Sequence, residues 1–280
     1  MAFWDKLGSR GNVEDRRSMA PAVGGIGITG VVLLVLFNYL AGGDVGDVIN
    51  QLENVPIEHS QPLDRKAFEG SDDYEVFAST VLGSNNELWE RIFNQNNREY
   101  SPPLLVLFRT ATESACGSAT SAVGPHYCPL DKTIYLDETF FEELMSRFGA
   151  QGGDVAEAYV IAHEVGHHAQ NELGIMDEMK REQASNPDSV NDLSVKLELQ
   201  ADCFAGLWAN SIKEVGVFES DQEIQEAMDA AEAVGDDRIQ ERVTGYTNSE
   251  SWTHGSSEQR VEWFNRGYDS GSLSSCNTFN

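Results

Sequence analysis

From Met19 to Gly43 the chain reads MAPAVGGIGITGVVLLVLFNYLAGG, and no charged side chain interrupts it. These 25 residues exceed the roughly 20 that an α-helix needs to cross a bilayer. Lys6, Arg10, Arg16 and Arg17 precede the run, and Asp44 and Asp47 follow it. Basic residues before an apolar span and acidic ones after it predict a single-pass transmembrane helix with its N-terminus in the cytoplasm. The run is longer than the apolar region of a signal peptide, and Leu40-Ala41-Gly42 is a poor cleavage site, so an uncleaved anchor is expected. Residues 1–18 then form a cytoplasmic basic segment and 19–43 the anchor. Residues 44–70, rich in Gly, Asp, Gln and Pro, form a tether, and 71–280 a folded domain outside the membrane.

Within 71–280 the pattern alternates between helical and strand-like stretches. Asp73–Leu82 is amphipathic and Gly83 is placed to stop it; Ser84 and Glu87 have the spacing of a capping box for a second helix. LLVLF (104–108) has the length and composition of a strand. Thr110 to Pro129 reads as loop, and TIYLD (133–137) as a short strand whose Asp137 can cap the helix TFFEELMSRF, closed by Gly149. Asp154 and Glu157 form another capping-box pattern, opening a helix that runs to Gly174. Residues 175–190 are polar, contain Pro187 and read as loop. Further helices are expected over 192–215, 220–234 and about 258–266. The expectation is an α+β domain, mostly helical, with a small β-sheet.

Composition narrows the function classes. A net charge of −27 would repel phosphates and argues against a nucleic-acid partner; a solubilising acidic surface is the simplest reading, with basic peptide substrates or a salty habitat as alternatives. Cys116, Cys128, Cys203 and Cys276 are even in number and lack a C-x-x-C pair. Outside the membrane oxidation is permitted, so disulfides are expected, 116 with 128 across a Gly/Ser-rich segment and 203 with 276 tying the tail to a helix.

HEVGHHAQ (163–170) carries the chemistry. His163 and His167, at i and i+4 on a helix, face the same way and can offer two nitrogens to one metal ion. Glu164 projects about 100° from His163, beside the metal, where it can take a proton from water. Had the pattern continued as a metzincin's, glycine would stand at 170 and histidine at 173; Gln170 and Leu173 stand there instead. The third ligand must therefore come from elsewhere. Glu198-Leu-Gln-Ala-Asp202 supplies one on a later helix: Glu198 as ligand, with Asp202 on the same face to accept a hydrogen bond from a ligand histidine. His163, His167 and Glu198 would hold one Zn2+ per chain and leave a position open for water, the catalytic rather than the structural pattern. His254 is the best placed histidine outside this pair of helices, although an isolated loop histidine needs no function. His168 reads as an outer or surface residue, His126 as structural to its loop and His59 as solvent-exposed in the tether.

The chain resembles the bacterial neutral zinc metallopeptidases, membrane-anchored relatives of the gluzincin group. The resemblance runs through the basic start and span, SACGSATSAVGPHYCPLDKTIYLD (114–137), AYVIAHEVGHHAQ (158–170), ELQADCFAGLWA (198–209) and THGSSEQRVEWFNRG (253–267). It implies a zincin-like fold with a short edge strand that aligns the substrate backbone, a role the IYLD run suits. It implies that His254 stabilises the oxyanion and that Arg260 helps to hold that segment. A zinc-dependent endopeptidase of the bacterial inner membrane, its domain in the periplasm and its substrate a peptide or protein, is the expectation. The alternative is a zinc-stabilised binding or chaperone-like module with little hydrolytic activity.

Overall fold

LLVLF and TIYLD lie side by side at the centre of a four-stranded sheet. In the computed structural model, which describes residues 2–18, 72–121, 123–218 and 220–279, the strands are β1 (Val13–Asp15), β2 (Leu104–Phe108), β3 (Ala111–Ser114), β4 (Gly117–Thr120), β5 (His126–Cys128) and β6 (Thr133–Asp137). The sheet order is β1-β2-β6-β5. β1 and β6 pair parallel to β2, whereas β5 pairs antiparallel to β6. Nearly every residue of β2 and β6 is buried, which is why both read as continuous apolar runs rather than as alternating ones.

The helices are α1 (Asp73–Gln95), α2 (Phe140–Phe148), α3 (Asp154–Leu173), α4 (Ile175–Ser185), α5 (Val190–Lys213), α6 (Asp221–Ala233), α7 (Asp236–Thr244) and α8 (Ser257–Ser270). α3 and α5 pack against each other at the centre, with Tyr159, Phe204, Trp208, Trp89 and Phe264 buried around them. α5 and α8 cross at Gly206 and Gly267. A Cβ at either position would lie 2.0 Å from a backbone oxygen of the opposite helix, so only glycine permits the approach. The mostly helical α+β expectation is met.

Several local expectations are corrected. α1 is one helix, not two: Gly83 and Ser84 lie in its middle, both buried. Gly83 is small because Arg10 crosses there; a Cβ would sit 2.7 Å from the Arg10 backbone. Ser84 caps nothing, and its hydroxyl instead bonds Val81 O and accepts from Trp208 Nε1. Residues 110–129 contain a hairpin and a strand rather than loop alone, and 175–185 is helical. Asp154 belongs to no capping box; it accepts hydrogen bonds from Ala2 N and Trp4 Nε1 at 2.9 and 2.8 Å. The IYLD run is not an edge, because β2 and β5 flank it. β5 is the edge strand on that side of the sheet, and β1 is the edge on the other.

The beginning of the chain is the largest departure. Expected as a segment apart from the domain, residues 2–18 are seated on it. Leu105 N bonds Asn12 O and Arg16 N bonds Leu107 O at 3.0 and 2.7 Å, making β1 part of the sheet. Trp4 stacks on Trp208 and meets Phe77 and Phe218 edge-on. Arg17, 1% exposed, is ion-paired with Asp15, Asp72 and Glu138. The anchor 19–43 and the tether 44–70 lie outside the described residues. Among the described residues no helix is long and apolar enough to cross a membrane.

Candidate metal centre

The face of α3 that carries His163 and His167 is packed against α5 at Gly166, where a Cβ would lie 3.1 Å from Ala201 O. That close approach brings Glu198 of α5 onto the two histidines of α3. His163 Nε2 lies 3.2 Å from Glu198 Oε2, and His167 Nε2 lies 3.3 Å from Glu198 Oε1. One ligand atom from each of the three lies within 4.8 Å of the others. The opposite nitrogens are already engaged: His163 Nδ1 donates to Asp202 Oδ1 at 2.8 Å and His167 Nδ1 to Gln170 Oε1 at 2.9 Å. Both Nε2 atoms are therefore turned towards one point.

Asp202, fully buried, is surrounded by donors. Tyr159 Oη donates to it at 2.5 Å, and Arg260 reaches both of its oxygens at 2.8 and 2.9 Å. Burial would raise the Asp202 carboxyl, but Arg260 and His163 hold it down at about 2. Burial lowers the His163 imidazole, and the charge and hydrogen bond of Asp202, with Glu198, outweigh that and raise it to about 10. His167 is likewise lowered by burial and raised further by Glu198, while the two histidines hold Glu198 well below the usual carboxylate range against its burial. The cage is thus built to favour positive charge at its centre.

Glu164 is 6% exposed, and its Oε2 is buried without a hydrogen-bond partner. An orphaned carboxylate oxygen beside three metal-type donors fits a site completed by a metal and its water. Two imidazoles and one carboxylate are a donor set suited to zinc. All four side chains line a cavity of about 740 Å³ whose walls include Val123, Pro125, Phe140, Val160 and Ile239. His254 lines it too, half exposed, with Nδ1 3.2 Å from Asp236 Oδ1. Asp236 Oδ2 accepts from the backbone N–H groups of Thr253, His254 and Gly255, which fixes the turn that presents the ring.

Three residues with clear structural roles were not legible as such. Tyr159, one turn before His163 on the same helix face, had the i−4 spacing as a signal. Asp236 had none, because it meets His254 only through the fold. His168 is not a surface residue: it is 0% exposed, its Nε2 donates to Ser101 O at 2.7 Å and its Nδ1 accepts from Tyr127 Oη at 3.0 Å. Burial lowers it to about 4, so it is neutral, and through Tyr127 it pins the edge strand β5 to α3. His126 stacks on Tyr135 in the same strand pair and lines the cavity. Both expected disulfides are formed, Cys116–Cys128 and Cys203–Cys276, with Cα separations of 5.8 and 5.5 Å. The first ties the end of β5, and the second ties α5 to the tail.

Residues 1–279 match the family described as "Putative neutral zinc metallopeptidase". Among similar chains, the uncharacterized protein YpfJ of Escherichia coli strain K12 is 40% identical, over 99% of this chain and 98% of its own length. The uncharacterized protein Rv2575 of Mycobacterium tuberculosis strain H37Rv is 41% identical, over 86% of this chain and 84% of its own. No solved structure matches.

Proposed function

The chain belongs to this neutral zinc metallopeptidase family, and from that premise we propose that it is a zinc-dependent endopeptidase with a zincin-like site. The observation that carries the reading is the convergence of His163, His167 and Glu198 beside the unpartnered Glu164 oxygen. When bound there, zinc would supply Lewis-acid polarisation of a scissile carbonyl and acidify a water.

The chain's own residues do the rest. Glu164 accepts the proton from the attacking water and passes it to the leaving amine, a role general bases fill with a gain of about 10²–10⁴. His254, with Asp236 behind its Nδ1, offers its far nitrogen to the developing oxyanion. β5 presents the sheet edge beside the cavity, where an extended peptide can add as a further strand. Asp202, Tyr159 and Arg260 keep the His163 ring from turning.

Attachment to a bacterial membrane through residues 19–43, with the domain on its extracytoplasmic side, is part of the proposal. The uncharged run and the two disulfides support it. Residues 2–18 are seated on the domain, and Arg17, just before the run, pairs with Asp72 at the start of α1 at 2.9 Å.

The test is cleavage of an unbiased peptide library by the detergent-solubilised full chain and by Glu164→Gln. Wild type should cleave, and the variant should lose at least about 100-fold in rate while keeping its zinc. Equal cleavage by the variant removes Glu164 from the mechanism. A zinc-loaded wild type that cleaves nothing favours a binding module.

A further inference from the structure

Gln170 ends the HEVGHHAQ stretch and is fully buried, 0% exposed. Every polar atom of its amide is directed. Oε1 accepts from His167 Nδ1 at 2.9 Å, and Nε2 donates to Leu197 O at 2.7 Å and to Gln200 Oε1 at 3.1 Å. Gln200, also buried, donates in turn from its own Nε2 to Cys276 O at 3.0 Å. Two of these acceptors, Leu197 O and Cys276 O, are backbone carbonyls, which can only accept.

That fact propagates. Because Cys276 O accepts, Gln200 must turn its NH₂ to the tail and its oxygen to Gln170. Because Leu197 O and Gln200 Oε1 both accept, Gln170 must turn its NH₂ to α5 and its oxygen to His167. His167 must then carry its proton on Nδ1, leaving Nε2 bare towards Glu198 and the centre. We infer that Gln170 is the positioning residue for the second metal ligand, and that the Gln170–Gln200 relay sets the tautomer of His167 from the C-terminal tail.

The two ligand histidines are therefore supported differently. His163 leans on a carboxylate neutralised by Arg260, and His167 on a neutral amide. A neutral support fits this position, since Glu198 already brings one full negative charge to His167 Nε2. The same amide bonds the carbonyl of Leu197, the residue before Glu198, so it sets the second ligand's ring and the third ligand's backbone together. The Cys203–Cys276 disulfide holds the accepting carbonyl at the far end of the relay.

This inference rests on the zinc reading of the site and is tested by zinc affinity, not by activity. The probe is zinc competed against a chromophoric chelator, on the full chain in detergent. Gln170→Met keeps the volume and removes the relay; it should weaken zinc by about 10- to 100-fold, the usual cost of losing a ligand's outer partner. Gln200→Met touches no ligand and covers the case in which Gln170→Met does not fold; it should weaken zinc several-fold. The melting temperature of the zinc-free forms separates a general loss of stability from a loss of affinity. Zinc affinities within twofold of wild type in the folded variants overturn the inference and leave the metal centre standing. A wild type that binds no zinc overturns the centre itself.

Discussion

Glu157 shows how one carboxyl on the active helix is used for neither catalysis nor capping. It lies partly buried at the first turn of α3, and burial, together with the charges of Asp154 and Glu138, lifts it from 4.5 to about 7; the Tyr74 hydroxyl offsets part of this. A carboxyl raised in the folded state contributes stability that is full below its unfolded value and is lost as pH climbs through the folded one. The loss falls between pH 4.5 and about 7. Glu157→Gln should therefore match wild type at pH 4 and melt higher at pH 8, by roughly 5 °C. Equal melting temperatures at both pH values would remove Glu157 from the account. Glu157 had looked like a helix-capping residue, because its spacing from Asp154 is the same whether the side chain reaches back to the backbone or is packed under its neighbours. His163 and His167 were legible as a pair for the opposite reason. Their i, i+4 relation is local and survives any tertiary arrangement, and Glu198 and Asp202 repeat it on the second helix. The supports that cross between elements, Asp236 to His254 and Gln170 to Gln200, leave no such trace in the sequence.

At the scale of elements, glycine was the residue most easily misread. Gly83 has the local signature of a helix stop, yet α1 runs straight through it because the residue is small for the sake of Arg10. Gly206 carries more consequence. It lets α8 lie against α5, and α8 delivers Arg260 to Asp202. In Gly206→Ala the new methyl would meet Phe264 O and the Tyr268 backbone rather than a side chain able to swing aside. The helices must separate, at a cost of about 2–4 kcal/mol, and Arg260 withdraws from the centre. Thermal denaturation of the zinc-free protein checks this, and an unchanged melting temperature would mean that the crossing is looser than described. The strands were legible where burial on both faces made them continuous, and illegible where β3 and β4 are polar and rich in small residues and where β5 is only three residues long. That left the edge strand assigned one strand too far inward.

For the whole molecule, the seating of residues 2–18 bears on the proposed attachment to a membrane. A segment that supplies a strand, a tryptophan packed on the core and a buried arginine stays, while seated, on the same side of any membrane as the domain. Gly8 is exposed with open space around it, and no cysteine in the chain is free, so Gly8→Cys gives a clean reporter. In intact cells a membrane-impermeant thiol reagent should label it from the same side as a cysteine placed at Ser249, exposed on the domain. Labelling from opposite sides would show that the segment leaves the sheet in the membrane-bound protein.

The central claim is the metal cage, and it can be tested without knowing a substrate. Zinc content and zinc affinity of the full chain should be measured for wild type and for Glu198→Ala. Wild type should carry one zinc per chain, and Glu198→Ala should lose affinity beyond the roughly 100-fold that an outer partner costs. A wild-type chain without zinc, or a variant that binds it as tightly, would rule out the cage.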